Sequence, residues 1–329
     1  MTSRKRFLFF IGLFLGIGLI FAVIKVAGLA GALHESIEFP WQNLAPVLSL
    51  SLLYYLLKAL RWHYLLTVVG IRLPLRRSIL TYLAGQWFAF SPAGEFVRAY
   101  LLVPFGYSFT RTSAVVSMQV ILDLLSLAIV ASVAVAWFRD LALLVLPFTV
   151  IMAAIVLALR YGSHLTGAKW FPLTPFSRIA AWKPWSSFFE TSLKLLTGKT
   201  LLLGSALGIT VTLIGALILY RISLDYEVSI TPGESVYIYA ISQLVGALSM
   251  LPHGLGAVEG SSVALFHLAG EDAVHAAAAI ILFRLCTLGW GLFLGAASLL
   301  SLRTPLAGPP IPKINQIELA GDQFTETDS

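Results

Sequence analysis

Apolar runs of membrane-spanning length dominate the chain. Residues 7–29, 44–66, 113–138, 141–159, 200–220 and 274–302 are built almost wholly of Leu, Val, Ile, Ala, Phe and Gly, with charges confined to a few positions. A helix rising about 1.5 Å per residue needs roughly 20 apolar residues to cross a hydrocarbon layer. The pattern therefore predicts an all-α, polytopic integral membrane protein, most of whose side chains have lipid for a solvent.

Two further apolar regions are interrupted. Residues 79–103 are broken by Ser91-Pro92-Ala93-Gly94, and residues 236–268 by Leu251-Pro252-His253-Gly254-Leu255-Gly256. Proline removes a backbone donor, and at membrane depth the freed backbone groups must be buried in protein or face a wet cavity. Re-entrant or discontinuous helices are expected at both places. The two regions also match each other: Ser78, Tyr82 and Gln86 recur at one offset as Ser235, Tyr239 and Gln243, and each set precedes a proline-glycine break and an acidic residue, Glu95 or Glu259.

Charge placement supplies a direction. Arg4, Lys5, Arg6, Arg72, Arg76, Arg77, Arg111, the basic residues of 160–199 and Arg303 fall on one side, with Arg139 and Arg221 opposing them. The side richer in Lys and Arg is the cytoplasm, so a multi-pass protein of the cytoplasmic (inner) membrane with both termini inside is expected. The first broken region then enters from the cytoplasm and the second from the opposite face, which makes the two halves an inverted repeat, a design that recurs in secondary transporters. The run at residues 7–29 exceeds a signal-peptide core and reads as a retained anchor. Residues 1–303 are expected to form one transmembrane domain and the proline-rich, polar residues 304–329 a disordered cytoplasmic tail. Segment 160–199 mixes Trp170, Phe171, Phe176, Trp182, Trp185, Phe188 and Phe189 with basic residues, and reads either as a stretch along the headgroup layer or as an ordinary cytoplasmic loop.

Composition narrows the function. The chain is 58% hydrophobic and 12% charged, about half the charged share of a soluble domain. Its net charge of +6 sits at the ends of apolar runs, which fits anionic headgroups and not nucleic acid. A single cysteine, Cys286, cannot build a disulfide, zinc or redox site within one chain. No metal and no cofactor is expected. No nucleophile elbow, Walker loop or paired metal-binding histidines occur, so neither an enzyme nor an ATP-driven pump is expected.

Ionisable groups inside apolar runs are the candidate site, because each costs roughly 2.5–3.5 kcal/mol to insert and so lines a cavity or pairs. They are Glu95, Arg98, Asp123, Glu259 and Arg284. In one reading Arg98 and Arg284, with the backbone amides around Pro92 to Gly94 and around Pro252, Gly254 and Gly256, receive an anionic headgroup. In the other, Arg98 pairs with Glu95, and Arg284 with Asp123 or Glu259, neutralising buried charge. Lys58, Arg61 and His63 stand toward the end of their run. Headgroup contact by these three is one reading there, and simple snorkelling to the interface the plainer one.

The phrases Leu60-Arg61-Trp62, Ser91-Pro92-Ala93-Gly94-Glu95-Phe96-Val97-Arg98-Ala99, Leu251-Pro252-His253-Gly254-Leu255-Gly256-Ala257-Val258-Glu259 and Phe283-Arg284-Leu285 resemble the lysylphosphatidylglycerol synthase transmembrane-region family. The likeness runs nearly to Arg303 and implies a region similar to the flippase domain of the multiple peptide resistance factor, a phospholipid translocator. Gln119-Val120 stands where the family often has Glu-Arg, and His253 where glycine is usual. The chain reads as a stand-alone member without the aminoacyl-transfer domain, so lysine transfer is not carried over. The expectation is a lipid flippase or transporter for a lipid with an anionic headgroup, phospholipid or polyprenyl-phosphate-linked. The alternative is a non-transporting membrane subunit, or an enzyme, of lipid or envelope glycolipid synthesis. Membrane lipids are the expected partners, and a lipid-synthesis enzyme or a second copy of the chain stays open.

Overall fold

A computed structural model describes residues 40–88, 94–134, 142–165, 183–249 and 251–303. The expected first span, the tail after Arg303, and Ser91, Pro92 and Ala93 lie outside the described residues. Within them the chain is helical, as the apolar runs require: α1 (Leu44–Val68), α2 (Leu75–Gln86), α3 (Gly94–Tyr100), α4 (Phe109–Ala134), α5 (Ala142–Leu165), α6 (Lys183–Leu195), α7 (Gly198–Leu224), α8 (Pro232–Leu248), α9 (Ala257–Leu268), α10 (Ala273–Arg284) and α11 (Trp290–Arg303), the last two joined through a π-helical turn at Leu285–Gly289. Helices α1, α4, α7 and the continuous Ala273–Leu302 are long and apolar enough to cross a membrane. The protein is a membrane protein.

Side-chain contacts set the directions of these helices. Asn43 Nδ2, just before α1, donates to Asp225 Oδ1 just after α7 at 2.8 Å, so α1 and α7 run antiparallel. At the other end of α1, Arg111 Nη2 near the start of α4 donates to the Val69 carbonyl at 3.0 Å. Helices α4 and α7 are parallel and close, since Gly204 lies against Leu122 and Gly208 against Ser126. With no side chain at those glycines the backbones approach, which replaces the hydrophobic drive that lipid does not supply.

Two shorter helix pairs fill the spaces between the long helices. Tyr107 donates its hydroxyl to the Arg72 carbonyl at 3.0 Å, and Thr112 Oγ1 donates to the Ala99 carbonyl at 3.3 Å. Helix α2 therefore leaves from the end of the molecule that carries Arg72 and Arg111, and α3 returns to it. Helix α8 starts at the opposite end, where Ser235 Oγ donates to the Ala216 carbonyl at 2.7 Å. Helix α9 packs back on α8, and its Leu265 and Phe266 join the buried cluster of Tyr226, Val228 and Ile230 at that same end. The two hairpins thus enter from opposite ends, each flanked by long helices, in agreement with the repeat.

The break in the second hairpin has a specific backbone. His253, Gly254 and Gly256 all have positive φ, at 54°, 65° and 83°. Gly254 is required twice over: its φ suits glycine, and a Cβ there would meet Gly246 Cα on α8 at 2.8 Å. Asp272 caps α10 by accepting from the Val274 and His275 amides at 2.9 and 3.2 Å, and these bonds hold its carboxyl below the usual carboxylate range.

Segment 160–199 is described only in part. Residues 166–182 lie outside the described residues, but Lys183–Leu195 is a helix docked on α4, with Thr191 and Leu195 buried and Phe189 and Glu190 turned outward. The face that carries Thr191 and Leu195 is thus covered by protein, while Phe189 stands on the outward side.

Candidate functional site

The site begins halfway along α1. Lys58 lies eleven residues before Val69 and Asp123 twelve after Arg111, and those two landmarks are bonded together at one end. Because α1 and α4 run antiparallel from that joint, the two charges meet at the same depth, about 16 to 18 Å along their helices. Lys58 and Arg61 consequently do not snorkel. Arg61 is fully buried and donates Nη2 to Asp123 Oδ1 in an ion pair, while Lys58 Nζ stands 3.6 Å from Asp123 Oδ2. The run they occupy continues as helix to Val68, which leaves both side chains too deep to reach the interface.

The first hairpin adds Arg98 and Glu95, which pair with each other across one turn of α3. The Arg98 guanidinium also lies 4.2 Å from the centre of the Tyr82 ring on α2, a cation–π contact. Gly85 makes room for it, since any side chain there would occupy the volume of the Arg98 side chain. Tyr82 and Tyr239, the matched tyrosines of the two repeats, are both buried, and the Tyr239 ring stands edge-on to Phe283, the neighbour of Arg284, at 5.9 Å. Lys58 also lies 4.8 Å from the centre of the Tyr54 ring.

The second hairpin resolves the partner of Arg284. Its Nε donates to Glu259 Oε1 at 2.5 Å and its Nη2 to the His253 carbonyl at 3.1 Å. Glu259 Oε2 in turn accepts from the Gly256 amide at 2.6 Å, closing the first turn of α9. Arg284 is thus tied to the break, and the Asp123 alternative for its partner is excluded by the Arg61 pair. The Thr287 carbonyl, in the π turn that follows Arg284, accepts from the Tyr55 hydroxyl at 3.0 Å as well as from the Trp290 amide.

The expected anion-receiving amides of this break are engaged elsewhere. Gly254 donates to the Leu251 carbonyl at 2.9 Å, Gly256 to Glu259, and Pro252 has no N–H to give. Pro252, Gly254 and Gly256 therefore shape the turn and do not present donors. Of the candidates read from the sequence, Arg61 with Asp123, Arg98 with Glu95, and Arg284 with Glu259 come together as three pairs.

Sequence reasoning weighed Lys58 for headgroup contact only as a residue more plainly read as snorkelling, treated Tyr82 and Tyr239 as marks of the repeat only, and noted Gln119 only as a departure from a pattern. Gln119 is 2% exposed, one turn before Asp123 on α4, and neither of its amide atoms has a hydrogen-bond partner among the described residues. Arg61 Nε and Nη1 are unpartnered in the same way. The available signal was helical spacing, which puts Gln119 and Asp123 on one face.

Side chains of Lys58, Asp123 and Arg284 are 19%, 29% and 12% exposed although they stand near the middle of membrane-length elements, and Glu259, in the first turn of α9, is 19% exposed. Charges facing hydrocarbon at that depth would be costly, so the open side is a polar one. The family model described as "Lysylphosphatidylglycerol synthase TM region" matches residues 9–295 of the chain. No curated protein matches it.

Proposed function

Starting from the lysylphosphatidylglycerol synthase transmembrane-region family, to which this chain belongs, we propose that the protein is a flippase or transporter that moves a lipid with an anionic headgroup across the cytoplasmic membrane. One observation carries the reading. Charged side chains from both repeat units come together with those of α1 and α4 in the interior of the bundle, and Lys58, Asp123, Glu95, Glu259 and Arg284 remain partly accessible there.

Moving a headgroup through a bilayer means replacing its water shell at the point where none is available. Cations and hydroxyls fixed at mid-depth supply that replacement, and the acyl chains stay outside in lipid. The two hairpins serve as re-entrant elements whose tips bound the cavity from opposite leaflets. The Arg-rich end, with Arg72, Arg76, Arg77 and Arg111, faces the cytoplasm. No covalent chemistry is assigned to the site, so the protein is not an enzyme in this reading.

The test is movement in vesicles. Purified protein in liposomes should expose inner-leaflet phosphatidylglycerol carrying a headgroup label to an impermeant quencher, faster than in protein-free vesicles and faster than for a labelled zwitterionic lipid. Folded protein that accelerates the movement of no anionic phospholipid and no polyprenyl-phosphate-linked lipid would overturn the proposal.

A further inference from the structure

The charges at mid-depth do not balance. Arg98 answers Glu95, and Arg284 answers Glu259, one to one. Asp123 alone answers both Lys58 and Arg61. Among the described residues the cluster therefore carries one positive charge in excess.

The geometry says which cation is spare. Arg61 is in direct contact with Asp123 and fully buried, whereas Lys58 is held more loosely at 3.6 Å and is 19% exposed. A lysine ammonium has three donors, and the single carboxylate contact of Lys58 leaves others to give. The unbonded Gln119 amide, nine-tenths buried one turn from Asp123, adds a donor and an acceptor that nothing among the described residues uses. The Tyr54 ring, 4.8 Å away, is the neighbour that faces the same ammonium.

We propose that Lys58 is the residue that takes the headgroup, and that the group it takes is a singly charged phosphodiester. This rests on the reading that the cavity receives a headgroup, and names its chemistry. One excess positive charge is neutralised by one phosphodiester. A phosphomonoester brings nearly two negative charges at neutral pH and leaves one of them unanswered in a medium of low dielectric. A zwitterionic headgroup brings an ammonium, and every carboxylate at this depth is already paired. Phospholipid diesters and polyprenyl phosphate sugars share the diester chemistry.

The experiment is native mass spectrometry of the full chain in detergent, with four probes offered at equal concentration. They are phosphatidylglycerol and a polyprenyl phosphate sugar as diesters, phosphatidic acid as a monoester, and phosphatidylcholine as a zwitterion. Soluble glycerophosphoglycerol is offered separately, to tell a lipid from its free headgroup. Both diester lipids should be retained preferentially. Lys58→Met should lower their retention roughly tenfold or more, the loss of one charge-assisted contact, and Lys58→Arg should keep most of it. Since Lys58→Met leaves the Arg61–Asp123 pair neutral, its melting temperature should stay near that of the unaltered protein. Undiminished diester retention in Lys58→Met overturns the proposal, and so does glycerophosphoglycerol binding as well as the lipids. If Lys58→Met fails to fold, preferential retention of phosphatidic acid or phosphatidylcholine by the unaltered chain overturns it without any variant. Movement in vesicles is scored apart: diester retention through Lys58 without movement upholds the site and rejects transport, while movement with no preference among headgroup charges rejects the site.

Discussion

Asp123→Ala is expected to be the most damaging single substitution in the bundle, lowering stability by about 3–5 kcal/mol in detergent, because it strands two cations and not one. Arg61 is fully buried, and its Nε and Nη1 have no partner among the described residues even with Asp123 present. Removing the carboxylate takes away the ion pair that tolerates the guanidinium at that depth, and helix α1 cannot rotate Arg61 toward water without pulling Trp62 and Leu65 from their buried places. The expected readout is a large fall in melting temperature, or no monodisperse protein at all. The double variant Arg61→Leu with Asp123→Leu should recover most of the loss, since a buried pair replaced by apolar side chains is often neutral. An Asp123→Ala protein that melts within about 1 kcal/mol of the original would show that the pair does not hold the core.

Arg284→Ala should act differently, loosening one hairpin while sparing the rest. Arg284 joins α10 to the break through Glu259 and the His253 carbonyl, and Glu259 retains the Gly256 amide when Arg284 is gone. The stranded carboxylate thus keeps one bond, and a loss of about 2–3 kcal/mol is expected, at the lower side of a broken buried pair. Hydrogen exchange should rise over residues 249–256, and lipid movement should fall because the hairpin that bounds the cavity no longer holds its shape. Arg284→Met together with Glu259→Gln should restore protection of the break. Unchanged exchange there in Arg284→Ala, alongside lost diester retention, would instead make Arg284 a headgroup contact.

The sequence carried the long helices well, since their signal is local. The run at 44–66 is α1 to within two residues, and the interrupted region 236–268 separates into α8 and α9 at the proline-glycine break. Three matched residues were enough to pair the hairpins, and the structure buries the matched tyrosines, Tyr82 and Tyr239. Glu259 was among the partners foreseen for Arg284, for a capping position and a mid-span arginine have few alternatives.

Partnership across the bundle was not legible. Arg61 and Asp123 are 62 positions apart, and only the antiparallel register of α1 and α4, fixed by Arg111 on Val69, brings them level. Read without that register, Lys58 and Arg61 look like cations near the end of an apolar run. Nor does a proline-glycine motif reveal where its amides point: the second break spends those of Gly254 and Gly256 on its own turn. The docking of α6 was hidden for a related reason, because an aromatic, basic stretch has the same composition against a headgroup layer as against a neighbouring helix.

The most direct measurement is where a headgroup touches the protein. Phosphatidylglycerol with a photoreactive group on its headgroup, cross-linked in liposomes and mapped by peptide mass spectrometry, should mark peptides of α1, α2 and α8 around Lys58, Tyr82 and Tyr239, and Lys58→Met should remove those adducts. Adducts confined to outward positions such as Leu202, Leu213, Leu268 and Leu300, which are exposed on the outside of the bundle, with none near Lys58, would contradict a headgroup site at the middle of the protein.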